Sequence, residues 1–152
     1  MRIIFGIFPL LAIPVLIYNL MGFAGPGSEF ASMAQSLSNP IATLPMVSPG
    51  ASWAISSGDI LIILSMIFFF VEILKSTSTG TSSIANHAVS MVVFIVCLIE
   101  FLLLKNFATS VFFILTIMCL LDVLAGVVVT IISARRDYSV ADGAGFGGGG
   151  HH

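Results

Sequence analysis

Within the apolar run FFILTIMCLLDVLAGVVVTII, residues 112–132, stands a single carboxylate, Asp122. A charge at the centre of a bilayer is costly and marks a buried partner or a pathway for protons or ions. Glu72, in IFFFVEILK, and Glu100, in VCLIEFLLLK, share that setting. Two such acids at one depth could relay a proton or a cation. Alternatively, a buried carboxyl takes up a proton and fixes helix packing through hydrogen bonds. Relays ordinarily show further acids and a basic partner, and no Lys or Arg lies mid-span. The packing role is therefore the expectation for Asp122, with the relay as its rival.

Other chemistry has no motif behind it. The chain has no G-x-S-x-G, H-E-x-x-H, C-x-x-C or P-loop pattern. Ser65 and Ser90 have no histidine at matching depth, and no facing histidines are available for heme. His87 falls at a span end, where a capping or interfacial histidine is expected. No catalytic, cofactor-binding or metal-ligating residue is assigned, and the chain reads as a non-enzyme. Cys97 and Cys119 lie inside apolar runs and read as small buried hydrophobes. A net charge of −2 offers no basic face to nucleic acid.

The elements that must hold these residues follow from composition. Of 152 residues, 58% are hydrophobic and 8% charged. A soluble domain carries roughly a quarter charged residues, so the solvent here is lipid. Four stretches reach the length of about 18 mainly apolar residues that a crossing needs. They are residues 3–23, 58–74, 88–104 and 109–133. The first also resembles a signal peptide, with Arg2 ahead and Gly22-Phe23-Ala24 behind. Its apolar core is longer than an ordinary signal core, so a retained helix is expected, bent at Pro9 and Pro14. The fold class predicted is all-α: a four-helix transmembrane domain over 1–136, then a flexible Gly-rich tail, 137–152. His151 and His152 are assigned no ligand role.

The connection 25–57 is long and greasy, and should pack on the bundle, on lipid or on a neighbour. SEFASMAQSL, with Ser28 as N-cap, places Phe30, Met33, Ala34 and Leu37 on one side of a short helix lying at the membrane surface. Pro40, Pro45 and Pro49 forbid a long helix after it, and Trp53 suits the lipid interface. Phe30, Met33, Leu37 and Trp53 are the predicted external interaction surface. Ser56, Ser57 and Asp59 suit the opening turn of span two. The connection at Asn106-Phe107 is tight enough to force spans three and four into an antiparallel hairpin.

Helical spacing draws a narrow polar stripe on each span. Gly58, Ser65 and Glu72 share a face of span two. Asn86, Ser90, Cys97 and Glu100 share an arc of span three, and Cys119, Asp122, Gly126, Thr130 and Ser133 line span four. Ser65, Cys97, Cys119, Gly126 and Thr130 are the predicted helix-packing positions, since small and weakly polar residues allow close approach. Asp122 lies about 20 Å from the outer end of its span, and Glu72 and Ser90 about 22 Å from theirs, at 1.5 Å per residue. Glu100 lies nearer the outside, one turn from Lys105, while Lys75 pairs with Glu72 along the helix.

The blocks FFFVEILKSTSTGTSSIANHAVSMVVFIVCLIEFLLL, residues 68–104, and FATSVFFILTIMCLLDVLAG, residues 107–126, resemble a group of uncharacterised small four-span inner-membrane proteins of proteobacteria. The resemblance covers spans two to four and the ARRD after them. It implies topology and bacterial origin, and no activity comes with it. Arg2, Lys75, Arg135 and Arg136 then fall on one side and Lys105 on the other, which puts both termini in the cytoplasm. The reading is an integral protein of the bacterial inner membrane, in contact with the lipid bilayer, that self-associates or serves as an accessory subunit of a larger membrane complex. The alternative is a proton- or cation-conducting component built on Asp122, Glu72 and Glu100. A weaker third is a lipid or quinone binder using the Phe-rich faces.

Overall fold

The computed structural model describes residues 8–24, 30–76 and 81–144. Ser28, the first residues of span one, and the Gly-rich end with His151 and His152 lie outside these. The side chains of Phe30 and Ser133 do too.

The chain is mostly helical. A turn at residues 8–11 leads into α1, Ala12–Ala24; α2 is Phe30–Ser38, and an antiparallel pair β1, Pro40–Pro45, and β2, Ser52–Ser56, follows. Three long helices come next: α3, Ser57–Ser76; α4, Thr81–Leu103; and α5, Ser110–Ala144, with a 3-10 turn at Lys105–Phe107 between the last two. Among the described residues three stretches are long and apolar enough to cross a membrane: Ser57–Lys75, Ala85–Leu103 and Ser110–Ile132.

α1 departs from the expected first span. Pro9 carries no N–H, and helical bonding starts only after it, with Ala12 N–H donating to the Pro9 carbonyl. Pro14 is harmless in the first turn, where N–H groups have no helical partner anyway. The result is 13 apolar helical residues, about 20 Å of rise against roughly 30 Å of hydrocarbon. α1 still runs alongside the three long helices and touches each of them.

α4 and α5 pack most extensively, as the tight turn between them requires. Tyr18, Phe107 and Phe112 form a buried aromatic cluster where α1 crosses that turn. Ring centroids are 4.6 Å apart for Tyr18–Phe112 and 4.8 Å for Phe107–Phe112. The Tyr18 hydroxyl pairs with Thr109 Oγ1 at 2.6 Å, and Asn106 Nδ2 donates to the Gly22 carbonyl at 2.9 Å. A Cβ on Gly22 would come within 3.1 Å of the Phe107 ring, so any larger residue at this crossing would push on that ring.

α3 opens on a capping box. Asp59 Oδ2 accepts from the Ser56 N–H at 2.9 Å, and Ser56 Oγ accepts from the Asp59 N–H at 3.2 Å. α2 docks inward against α3 and the 3-10 turn.

Three expectations change. First, 40–56 is a β-hairpin and not an irregular loop. Pro40 and Pro45 occupy strand ends, where a missing N–H is tolerated. Gly50 takes φ 77° in the turn, and the strands pair Leu44 with Trp53. Second, Met33 and Leu37 are buried in the core rather than displayed outward, whereas Trp53 is exposed. Third, helix α5 continues through Ala144 instead of yielding to a flexible tail at 137.

Candidate functional site

Glu72, Asn86, Ser90 and Asp122 lie toward the end of the bundle away from the hairpin. Glu72, in the last turn but one of α3, is fully buried at 0% exposure. Its Oε2 accepts the Leu10 backbone N–H at 2.8 Å, and its Oε1 accepts from Asn86 Nδ2 on α4. Lys75, one turn further, places Nζ 3.3 Å from both carboxylate oxygens and donates to the Phe8 carbonyl at 2.9 Å. One carboxylate thus ties together the approach to α1, α3 and α4. Prolines explain why Leu10 has an N–H to offer: the turn after Pro9 leaves it outside any helical ladder. The acid also sits at the positive end of α1.

Asp122 of α5 is 1% exposed, and the Ser90 hydroxyl of α4 stands against its carboxyl, with Glu72 and His87 in electrostatic reach. Asn86 and Ser90, four residues apart on α4, are each 3% exposed. Asn86 Oδ1, Ser90 Oγ and Asp122 Oδ1 are buried without a hydrogen-bond partner among the described residues.

α4 begins at Thr81 and its stretch long and apolar enough to cross a membrane begins at Ala85, so His87 lies in the second turn of the helix and at the span end where the sequence places it. Its imidazole rests on Gly126, one turn of α5 beyond Asp122. A Cβ at Gly126 would run into the ring at Nδ1, Cε1 and Cγ. Gly126 is therefore a close-approach position whose neighbour is a titratable ring.

The remaining predicted residues are placed as follows. Glu100 is half-buried and accepts from Asn19 Nδ2 of α1 at 3.1 Å, instead of reaching toward Lys105. Ser65 is buried and donates to the Leu61 carbonyl of its own helix. Cys97 and Cys119 lie in the core as free thiols, side by side across α4 and α5. Thr130 is exposed and bonds back to the Gly126 carbonyl, so it makes no helix-packing contact through its hydroxyl. Ion-pair or packing roles were not assigned from sequence to Asn19, Tyr18 or Asn106. Their signal was available as polar residues in, or at the edge of, apolar runs. At the hairpin end a groove of about 410 Å³ runs between α2 and the start of α5; the residues lining it include no ionisable side chain.

Comparisons with protein-family models, with curated proteins and with solved structures return no match for this chain.

Proposed function

We propose that this chain is a four-span, non-enzymatic protein of the bacterial inner membrane, with both termini cytoplasmic, that acts by association: with further copies of itself or as an accessory subunit. The observation that carries the reading is the hairpin Pro40–Ser56. No charged residue occurs between Pro40 and Ser56, and Ile41, Leu44, Met46, Val47 and Trp53 are all exposed. An isolated two-stranded ribbon is marginal in water, and its free edges are templates for pairing. It projects from the bundle at the end where α3 begins, on the outer side in the proposed threading. The apolar faces of α3 and α4, turned outward along most of their length, are the surface that lipid would cover in this reading.

The test is a photo-crosslinking residue at Val47, fully exposed at the hairpin tip, in native membranes, with the mass of the purified particle measured in parallel. A covalent homodimer or one discrete heterologous product supports association. A monomer crosslinked only to lipid refutes it. Two buried acids, Glu72 and Asp122, within electrostatic reach of each other favour a second reading, a proton- or cation-conducting component, and flux in liposomes that vanishes in Asp122→Asn with the fold intact would establish it.

A further inference from the structure

We propose that Cys97 and Cys119 are a peroxide-oxidisable pair that closes to an intramolecular disulfide between α4 and α5. The proposal stands apart from association and from conduction, because it needs only the seam between two helices of one chain.

Position along that seam is the first argument. α4 and α5 run antiparallel, so residue numbers rise on one helix while they fall on the other. Three contacts fix the register: the His87 ring on Gly126, the Ser90 hydroxyl on the Asp122 carboxyl, and the Phe101 and Phe113 rings with centroids 5.3 Å apart. Cys97 falls between Ser90 and Phe101, and Cys119 falls between Phe113 and Asp122. The register therefore sets the two cysteines opposite each other, and their thiols pair across the seam. Cys97 is 0% and Cys119 3% exposed, and both belong to one buried cluster. Ser90, Cys97, Cys119 and Gly126 are all small, which lets the two backbones come close. A disulfide requires that closeness, because its Cα atoms stand within about 7 Å of each other. The chain has two cysteines, so each is the other's one possible partner within it.

The reaction balances with hydrogen peroxide as the oxidant. One sulfur attacks a peroxide oxygen and the O–O bond breaks. That thiol becomes a sulfenic acid, and its proton leaves with the other oxygen as water. The second sulfur then displaces the sulfenic hydroxyl, the S–S bond forms, and the hydroxyl takes the second thiol proton away as water. Two electrons pass from the sulfurs to the peroxide oxygens. Peroxide is small and uncharged, so it enters an apolar bundle that a charged oxidant would not. Ile95, Val96 and Leu98 beside Cys97 are exposed, which leaves the thickness of α4 between the thiols and the bundle surface. Burial slows the first attack, since the thiolate is the reactive form. It favours the second, because the resolving thiol is already in place and external thiols are kept out. The rival reading is two inert, small hydrophobes of the core.

Proteolysis separates the two. Full-length protein in isolated native membranes is treated with hydrogen peroxide, denatured, exposed to a maleimide that captures any remaining thiol, and digested with trypsin. Lys105 lies between the cysteines, so cleavage there leaves Cys97 on residues 76–105 and Cys119 on residues 106–135. The expected result is loss of both maleimide adducts, with these two peptides joined until a reductant is added. The undigested protein should run as a monomer on a non-reducing gel. Cys97→Ala and Cys119→Ala should each abolish the joined species, and the wild-type peptides decide the matter if either variant fails to fold. Two captured thiols after peroxide treatment would mark the pair as inert and overturn the proposal. Oxidation to sulfinic acid without joining, or a link found only between two chains, would overturn it equally.

Discussion

Glu72 offers the sharpest test of how the bundle end is held. Replacing it with Leu preserves volume roughly and removes every acceptor. The Leu10 N–H and Asn86 Nδ2 are then stranded in a buried setting. At about 1–3 kcal/mol for each stranded donor, the loss is roughly 2–6 kcal/mol. Lys75 adds little to this total, because its side chain is 20% exposed and can turn to water. Glu72→Gln keeps one carbonyl oxygen and turns an amide toward the second donor, so it should lose about half as much. The predicted order is therefore wild type, then Gln, then Leu. Equilibrium unfolding in mixed micelles, followed by circular dichroism, measures the total. Hydrogen exchange reports the site, since the amides from Leu10 to Ile13 should exchange faster in both variants. A Leu variant within about 1 kcal/mol of the wild type, below the cost of even one stranded donor, would refute the assignment of Glu72 as a three-way tie.

Other expectations are more local. Gly126→Ala should destabilise the α4–α5 contact by about 1–3 kcal/mol through overpacking on the His87 ring, and His87→Ala in the same chain should recover much of it; additive losses in the double-mutant cycle would break the argument. Tyr18→Phe should cost about 1 kcal/mol by unpairing Thr109 and the Asn106 carbonyl, read in the same unfolding assay. Leu37→Ala should lower stability by about 2–5 kcal/mol without changing crosslinks at Val47, because Leu37 is buried against the bundle; unchanged stability with lost crosslinks would return α2 to the outer surface. A reporter fused after Ala144 should register as cytoplasmic and one inserted at Gly50 as external; a tail that reports outside would remove the four-span threading.

What could be read from sequence was whatever depends on one helix at a time. The apolar stretch 58–74 marks α3 to within two residues at each end, because capping residues precede it and Ser, Thr and Gly follow it. The end of α5 was misjudged for a related reason. Charge and polarity after Ser133 suggested a tail, yet between Gly126 and Gly143 no glycine or proline occurs to stop the helix. The hairpin was missed because its prolines argued against helix, and their position at strand ends, with Pro49-Gly50 between, was not weighed as turn chemistry.

The polar cluster shows where periodicity gives out. Spacing puts Glu72 and Ser65 on one face, or Asn86 and Ser90 on another, but it carries nothing about which face meets which neighbour. Asn86 was read as a member of a stripe, and only tertiary placement turns its amide into a donor to Glu72 on the neighbouring helix. His87 could not be placed for a further reason. Its approach to α5 depends on the missing side chain of Gly126, and a glycine in an apolar helix announces closeness without saying to what. Leu10 is harder still: its contribution is a backbone N–H released by the turn after Pro9, and no side-chain pattern encodes it. The physical consequence is that the buried acids do different work. Glu72 is met by three donors and holds the fold. Asp122 instead meets the Ser90 hydroxyl across the α4–α5 contact, and that difference in partners, which residue type could not reveal, gives one acid three elements to join and the other two.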